Sequence, residues 1–226
     1  MEIHYRNKKI AINRWNSRHK KELRLFRRDT KARALKAAIC GFLAGDGSVQ
    51  IRREKTFFHF QIDFYPDDLL MRDKYLEAMS YVYNKKPTIF RRKNFDELRL
   101  TSKTVVLDLK KYADFGTHNW VLPNKLLTDE EAITCWLKAF FSAEAYVGPK
   151  HIKIQTVNKK GMAEVARLLQ RIGICHKVYM YRPKVKNHSD VTAIFISKKD
   201  SRLHFKNKIG FWHSRKSNKL RDSLDF

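Results

Sequence analysis

Three cysteines in 226 residues, at positions 40, 135 and 175, are too few and too widely spaced for a disulfide framework or a zinc cluster. They fit an intracellular, reducing compartment, cytoplasm or organelle matrix, and each is expected to behave as a small buried apolar residue. No apolar run approaches the roughly 20 residues that cross a bilayer. No lipidation motif or cationic amphipathic tail offers an anchor either, so no membrane partner is expected. Acid is scarce: 23 Asp and Glu against 48 Lys and Arg leave a formal net charge of +25. Such a field selects polyanions, nucleic acid foremost, without separating DNA from RNA. Glycine is scarce too, eight in all, yet three of them (Gly41, Gly45 and Gly47) crowd into one short stretch.

That stretch is "CGFLAGDGSV", Cys40–Val49. A helical apolar period stops there and an alternating one begins, with Asp46 boxed between two glycines. The C-terminal end of a helix carries partial negative charge, so an acid there costs about 0.3–1 kcal/mol where a cation would gain it. A second stretch, "TDEEAITCWLKAFFSAEAYV", starts at Thr128. Thr128 and Glu131 have capping-box spacing. Ile133, Trp136, Leu137, Phe140 and Phe141 come next at a helical period. Subtracting 98 maps Thr128 onto Thr30, Leu137 onto Ile39, Phe140 onto Phe42 and Glu144 onto Asp46. The chain is therefore read as a duplication.

The segments after the two acids repeat less closely. Ser48–Arg53 and Phe58–Phe64 alternate as two strands of a half-buried sheet. Helices are expected at Asp67–Tyr83 and Thr104–Tyr112, with strands at Lys86–Arg92 and Glu97–Lys103. The second half offers strands at Ile152–Val157, His176–Tyr181 and Val191–Ser197, with one further strand less clear. It also offers a helix at Gly161–Ile172, stopped by Gly173, and a helical region at Lys199–Leu220. The domain reading is a basic N-terminal extension at 1–29, a first half at 30–114, a linker at 115–127 and a second half at 128–226. His118 is taken as linker packing, and His188 and His213 as loop or surface residues.

Gly41 and Gly45 lie four apart on one helix face, and Ala139 and Ala143 occupy the same places 98 residues later. Small residues at that spacing let two helix backbones approach closely. Two parallel helices so packed would bring Asp46 and Glu144 together. Neighbouring carboxylates at two negative dipole ends should not both stay ionised without a cation. All-oxygen ligands there suit Mg²⁺, and metal between two acids serves in-line phosphodiester displacement.

At these residues the chain resembles a known family. "ICGFLAGDG" (Ile39–Gly47) and "LKAFFSAEA" (Leu137–Ala145) are similar to the two motifs of monomeric LAGLIDADG homing endonucleases. "RIGICHKV" (Arg171–Val178) and "KIGFWHSRKSNKL" (Lys208–Leu220) are similar to later segments of that family. The resemblance implies an α+β fold of pseudo-twofold duplicated αββαββα units, forming a DNA-binding β-saddle with the two motif helices packed at the centre. It implies a monomer that breaks both strands of a long double-stranded DNA target with Mg²⁺ or Mn²⁺. Asp46 and Glu144 fall on the catalytic, metal-binding position, with Gly45 and Ala143 beside them in the metal site. Some members instead act as maturases on intron RNA, so intron RNA is the alternative partner, with a non-cleaving DNA-binding protein beside it.

Two departures stand out. Ala145 replaces the glycine that usually comes after the acid, which would strain an exit turn of positive φ. Positions where the family carries a water-positioning polar residue fall near Phe64–Tyr65 and Asn158–Lys159, of which only the second pair is suited. The candidate base-reading residues are Gln50, Arg52, His59, Gln61, Arg92, Arg99 and Thr101, then His151, Lys153, Gln155, Lys177, Tyr179 and Tyr181. Lys103, Lys159, Lys198 and Lys199 are added as DNA contacts near the strand ends. Lys85, Lys86, Arg91, Lys93, Arg215 and Lys216 are expected on phosphates.

Overall fold

The computed structural model describes residues 15–54, 57–93, 95–182 and 189–225. Residues 1–14 of the basic extension and His188 lie outside the described residues. Helix α1 covers residues 15–24. The first half then runs α2 (Thr30–Asp46), β1 (Gly47–Glu54), β2 (Phe57–Phe64), α3 (Leu69–Tyr83), β3 (Thr88–Arg91), β4 (Asp96–Thr101) and α4 (Lys103–Leu109). The second half runs α5 (Glu130–Glu144), β5 (Tyr146–Val147), β6 (Ile152–Thr156), α6 (Lys159–Arg171), β7 (Lys177–Tyr181), β8 (Val191–Ile196), α7 (Lys199–Lys208) and α8 (Ser214–Asp222). The strand that alternation left unclear is β5, only two residues long and too short to show a period.

Each half forms a four-stranded antiparallel sheet of the same order, β1-β2-β4-β3 and β5-β6-β8-β7. Val49 pairs with Ile62 and Ile51 with Phe60, while Gln50 pairs with Gln61 and Arg52 with His59. The alternation thus sorts apolar and polar side chains onto opposite faces. The apolar faces pack on α2 and α5, and the core is continuous through Ile39, Phe42, Ile62, Phe64, Trp136, Phe140 and Ile194. Among the described residues no helix is long and apolar enough to cross a membrane.

Several local expectations shift. The caps are Asp29, accepting from the Ala32 backbone N–H, and Asp129, accepting from that of Ala132, rather than Thr30 and Thr128. Ala145 has φ −77° and Gly47 φ −128°. Neither exit needs the left-handed region, so Ala145 carries no strain. His118 is exposed, and the packing is done by Trp120, which lies against Trp136 and Phe140 at 6.2 and 5.1 Å. Of the cysteines only Cys40 is buried, while Cys175 is exposed.

Candidate active site and nucleic-acid interface

Helices α2 and α5 run parallel and almost touching. A Cβ built on Gly41 would stand 2.5 Å from the Trp136 carbonyl, and one on Gly45 2.5 Å from Ala143 Cβ and 3.3 Å from Glu144 Cγ. At their starts, Arg33 of α2 pairs with Asp129, the N-cap of α5. The small-residue faces therefore bring both C-terminal ends, and Asp46 and Glu144, to one place. Burial pushes the Glu144 carboxyl up to about 7, the charge of Asp46 adds to the rise, and Lys216 opposes it. Burial likewise raises Asp46, with Lys216 and His213 opposing and Asp67 adding. Among the described residues no side-chain hydrogen bond contributes to the shift of either carboxylate. Two half-buried carboxylates without a salt-bridge partner among the described residues are a donor set that fits a hard divalent cation completing its shell with water or phosphate oxygens. Among the described residues no three His, Cys, Asp or Glu side chains form a closed metal cage.

A lysine from far along the chain reaches this site. Lys216 of α8 donates to the carbonyls of Ser142 and Ala143 at 2.6 and 2.7 Å. It is thus no free phosphate contact, and it occupies the Ala143 carbonyl expected in the metal site. Burial lowers the pKa of its ammonium, and the charges of Asp67, Asp46 and Glu144 oppose that shift. The segment leading to α8 anchors it: the Trp212 backbone N–H donates to Ser142 Oγ at 2.7 Å, and the Trp212 ring stacks on Phe42 at 5.7 Å. His213, expected at the surface, is buried; it caps α8 and lies 3.4 and 3.5 Å from Asp67 and Asp68. Neither role is legible in the sequence, because both depend on where a helix some 70 residues beyond the acid folds back.

The strand pairing puts Gln50, Gln61 and Thr101 in one row of the first sheet's polar face, flanked by Arg52 with His59 and by Asp63 with Arg99. The side chains on this face are linked: His59 to Gln61 at 2.8 Å, Gln61 to Asp63 at 2.6 Å, and Arg99 to Asp63 at 2.9 Å. Arg99 also pairs with Glu97, which Arg92 grips at 3.0 and 2.5 Å. The guanidiniums expected to be free readers are therefore held by two buried carboxylates. Arg92 keeps Glu97 below the usual carboxylate range, with Arg99 adding to it.

In the second sheet Lys153 pairs across to Phe195, which pairs to Lys177, while Gln155, Ala193 and Tyr179 form the next row. Tyr181 donates to Gln155 Oε1 at 2.5 Å. His151 lies beside Phe195 at 5.5 Å and Tyr146 at 5.9 Å.

Four candidates leave the strand rows. Lys103 opens α4, with its ammonium 3.8 Å from the Trp15 ring centre. Lys159 begins α6, and Lys198 and Lys199 form the β8–α7 junction. Asn158 is no water-positioning residue: it caps α6 and donates to the Trp120 carbonyl at 2.7 Å. Phe64 is fully buried against Phe42 and Tyr75.

The LAGLIDADG-like domain family matches residues 131–210. No curated protein sequence matches the chain. The structure of I-DmoI in complex with DNA and Mn superposes with a TM-score of 0.65 at 19% identity, covering 79% of this chain and 97% of that one. A variant of the same protein, in complex with its target DNA in the presence of Mg, gives 0.65 at 18%, covering 80% and 98%. The N-terminal LAGLIDADG domain of DUF199/WhiA gives 0.56 at 13%, covering 79% and 82%. Residues 131–210 thus match the LAGLIDADG-like domain family, and over 79% of its length the chain shares the fold of the homing endonuclease I-DmoI.

Proposed function

We propose that this protein is a monomeric, site-specific DNA endonuclease that hydrolyses both strands of a long target with a divalent metal, in the setting of intron or intein homing. The observation that carries this reading is the meeting of Asp46 and Glu144, without a salt-bridge partner among the described residues, at adjacent helix ends in a chain of net charge +25. The similarity to I-DmoI in complex with DNA and Mn supports it. Asp46 and Glu144 would hold the metal, which when bound supplies positive charge to the phosphodiester oxygens and acidifies water. Lys216 stands beside the acids and holds the last turn of α5 in place through the Ala143 carbonyl. The polar sheet faces orient the duplex, with Gln50, Arg52, Gln61, Lys153, Gln155 and Lys177 as base or phosphate contacts.

The test uses plasmids carrying the uninterrupted version of the sequence that flanks the gene. Linear product should form with Mg²⁺ and vanish with chelator, and Asp46→Asn should abolish cutting of at least one strand while duplex binding remains. Full cutting by Asp46→Asn would remove its assigned role. A second reading is a protein of the same fold that binds DNA, or intron RNA as a maturase, without cleaving. The Lys216 ammonium on the Ala143 carbonyl favours it, since an internal cation already stands at the acids. Splicing of the host intron without any metal-dependent cutting would select that reading.

A further inference from the structure

A cavity of about 740 Å³ opens in the second half where the β5–β6 turn, the start of α7 and the end of α8 meet. Four cations line it, Lys150, Lys199, Arg202 and Lys219, against one carboxylate, Asp222, a difference of three positive charges. Arg202 is only 6% exposed. Its Nη1 donates to the Pro149 carbonyl at 3.2 Å and to the Ser223 carbonyl and hydroxyl at 3.0 and 2.9 Å. Its Nε has no partner among the described residues, and the ion pairs among those residues give it no carboxylate. A buried guanidinium without a counter-charge is costly, and an anion in the adjoining space would relieve it.

Two further features point the same way. Helix α7 begins beside the cavity, and its N-cap, Lys198, supplies no side-chain acceptor to the first-turn N–H groups. Those donors and the positive end of the helix dipole favour an anion, with Asp200 the one acid in that turn. Tyr146, with Lys219 5.9 Å from its ring centre, lines both this cavity and the hollow formed by Glu144, His151, Lys153 and Gln155. The cavity therefore adjoins the acid site.

We propose that this cavity is a phosphate-binding site, with Arg202 as its buried anchor and Lys150, Lys199 and Lys219 as outer contacts. A backbone phosphate of the bound nucleic acid is one source of the ligand, which rests on the nucleic-acid reading of the protein. A free phosphate compound is the other, which does not.

The probe is inorganic phosphate at constant ionic strength, with the melting temperature of the full chain as readout. Phosphate should stabilise the wild type, and Lys199→Ala/Lys219→Ala should weaken its apparent affinity at least tenfold. Lys74→Ala/Lys125→Ala, which removes the same charge elsewhere, should leave it unchanged. Arg202→Lys should weaken it as well, and if that variant fails to fold the surface double variant carries the test. No phosphate effect in the wild type, or an equal effect in both double variants, overturns the site. The salt dependence of duplex binding separates the sources. A backbone phosphate predicts a log–log slope shallower by about one in Lys199→Ala/Lys219→Ala, and an unchanged slope with lost phosphate stabilisation assigns a free phosphate ligand. A wild type that binds no duplex would defeat the nucleic-acid reading and leave the phosphate result standing.

Discussion

At the scale of the residue, a carboxylate at a helix C-terminus faces the wrong pole of the dipole, and this chain places two there side by side. Glu144 shows the cost most plainly, with burial and Asp46 pushing its carboxyl up to about 7 from an ordinary value of 4.5. A folded-state value above the unfolded one means that the folded protein binds the proton more tightly. The resulting stabilisation is full below about pH 4.5 and is lost as pH rises through about 7. In metal-free buffer, the melting temperature of the wild type minus that of Glu144→Gln should therefore fall across this window. A difference that is flat or rises with pH would contradict the coupling. The acids themselves were legible in the sequence because they close two segments of matching period. Lys216 was not, because its bond to the Ala143 carbonyl joins positions 73 residues apart with no pattern linking them. The caps are ambiguous in the sequence for a smaller reason. Asp29–Thr30 and Thr128–Asp129 each set two cap-forming residues side by side, and the choice between them is made by backbone dihedrals.

At the scale of the element, the contact between α2 and α5 fixes the distance between the acids. Ala at position 41 gains helix propensity, yet its Cβ would meet the Trp136 carbonyl at 2.5 Å, an atom of the facing backbone that cannot rotate away. Overpacking of this kind costs about 1–3 kcal/mol, more than the propensity gain. Gly41→Ala should lower the urea midpoint accordingly, and a stabilised variant would mean that the helices are not so close. Helix α2 also carries a buried ion pair, Lys36 Nζ to Asp108 Oδ2 at 2.7 Å, with Tyr83 donating to the same oxygen at 3.1 Å. The two side chains are 8% and 9% exposed. Asp108→Asn strands the ammonium and should cost about 3–5 kcal/mol in denaturant unfolding, whereas Lys36→Met with Asp108→Leu should cost less. An unchanged midpoint in Asp108→Asn would show that water reaches the pair. The strand rows were foreseeable from alternation. The ties of Arg99 and Arg92 to Asp63 and Glu97 were not, since they require the register of β2, β4 and β3 and the path of the chain leaving β3.

At the scale of the whole molecule, two copies of one unit share a core, and their pseudo-symmetry is broken by additions to the second. Helix α8 crosses to the first half, where the Ser214 backbone N–H donates to Asp68 Oδ2 at 3.0 Å. The phosphate cavity likewise belongs to the second half alone. The duplication was readable from a constant offset of 98, whereas these additions have no counterpart against which to be read. The central claim is that one acid from each copy serves one metal site. The direct measurement is Mn²⁺ binding to the full chain, monitored by electron paramagnetic resonance, in the wild type, Asp46→Asn and Glu144→Gln. Each substitution should weaken the same binding event by about tenfold or more, at least about 1.4 kcal/mol. Mn²⁺ affinity that is unchanged in either variant would contradict a shared site.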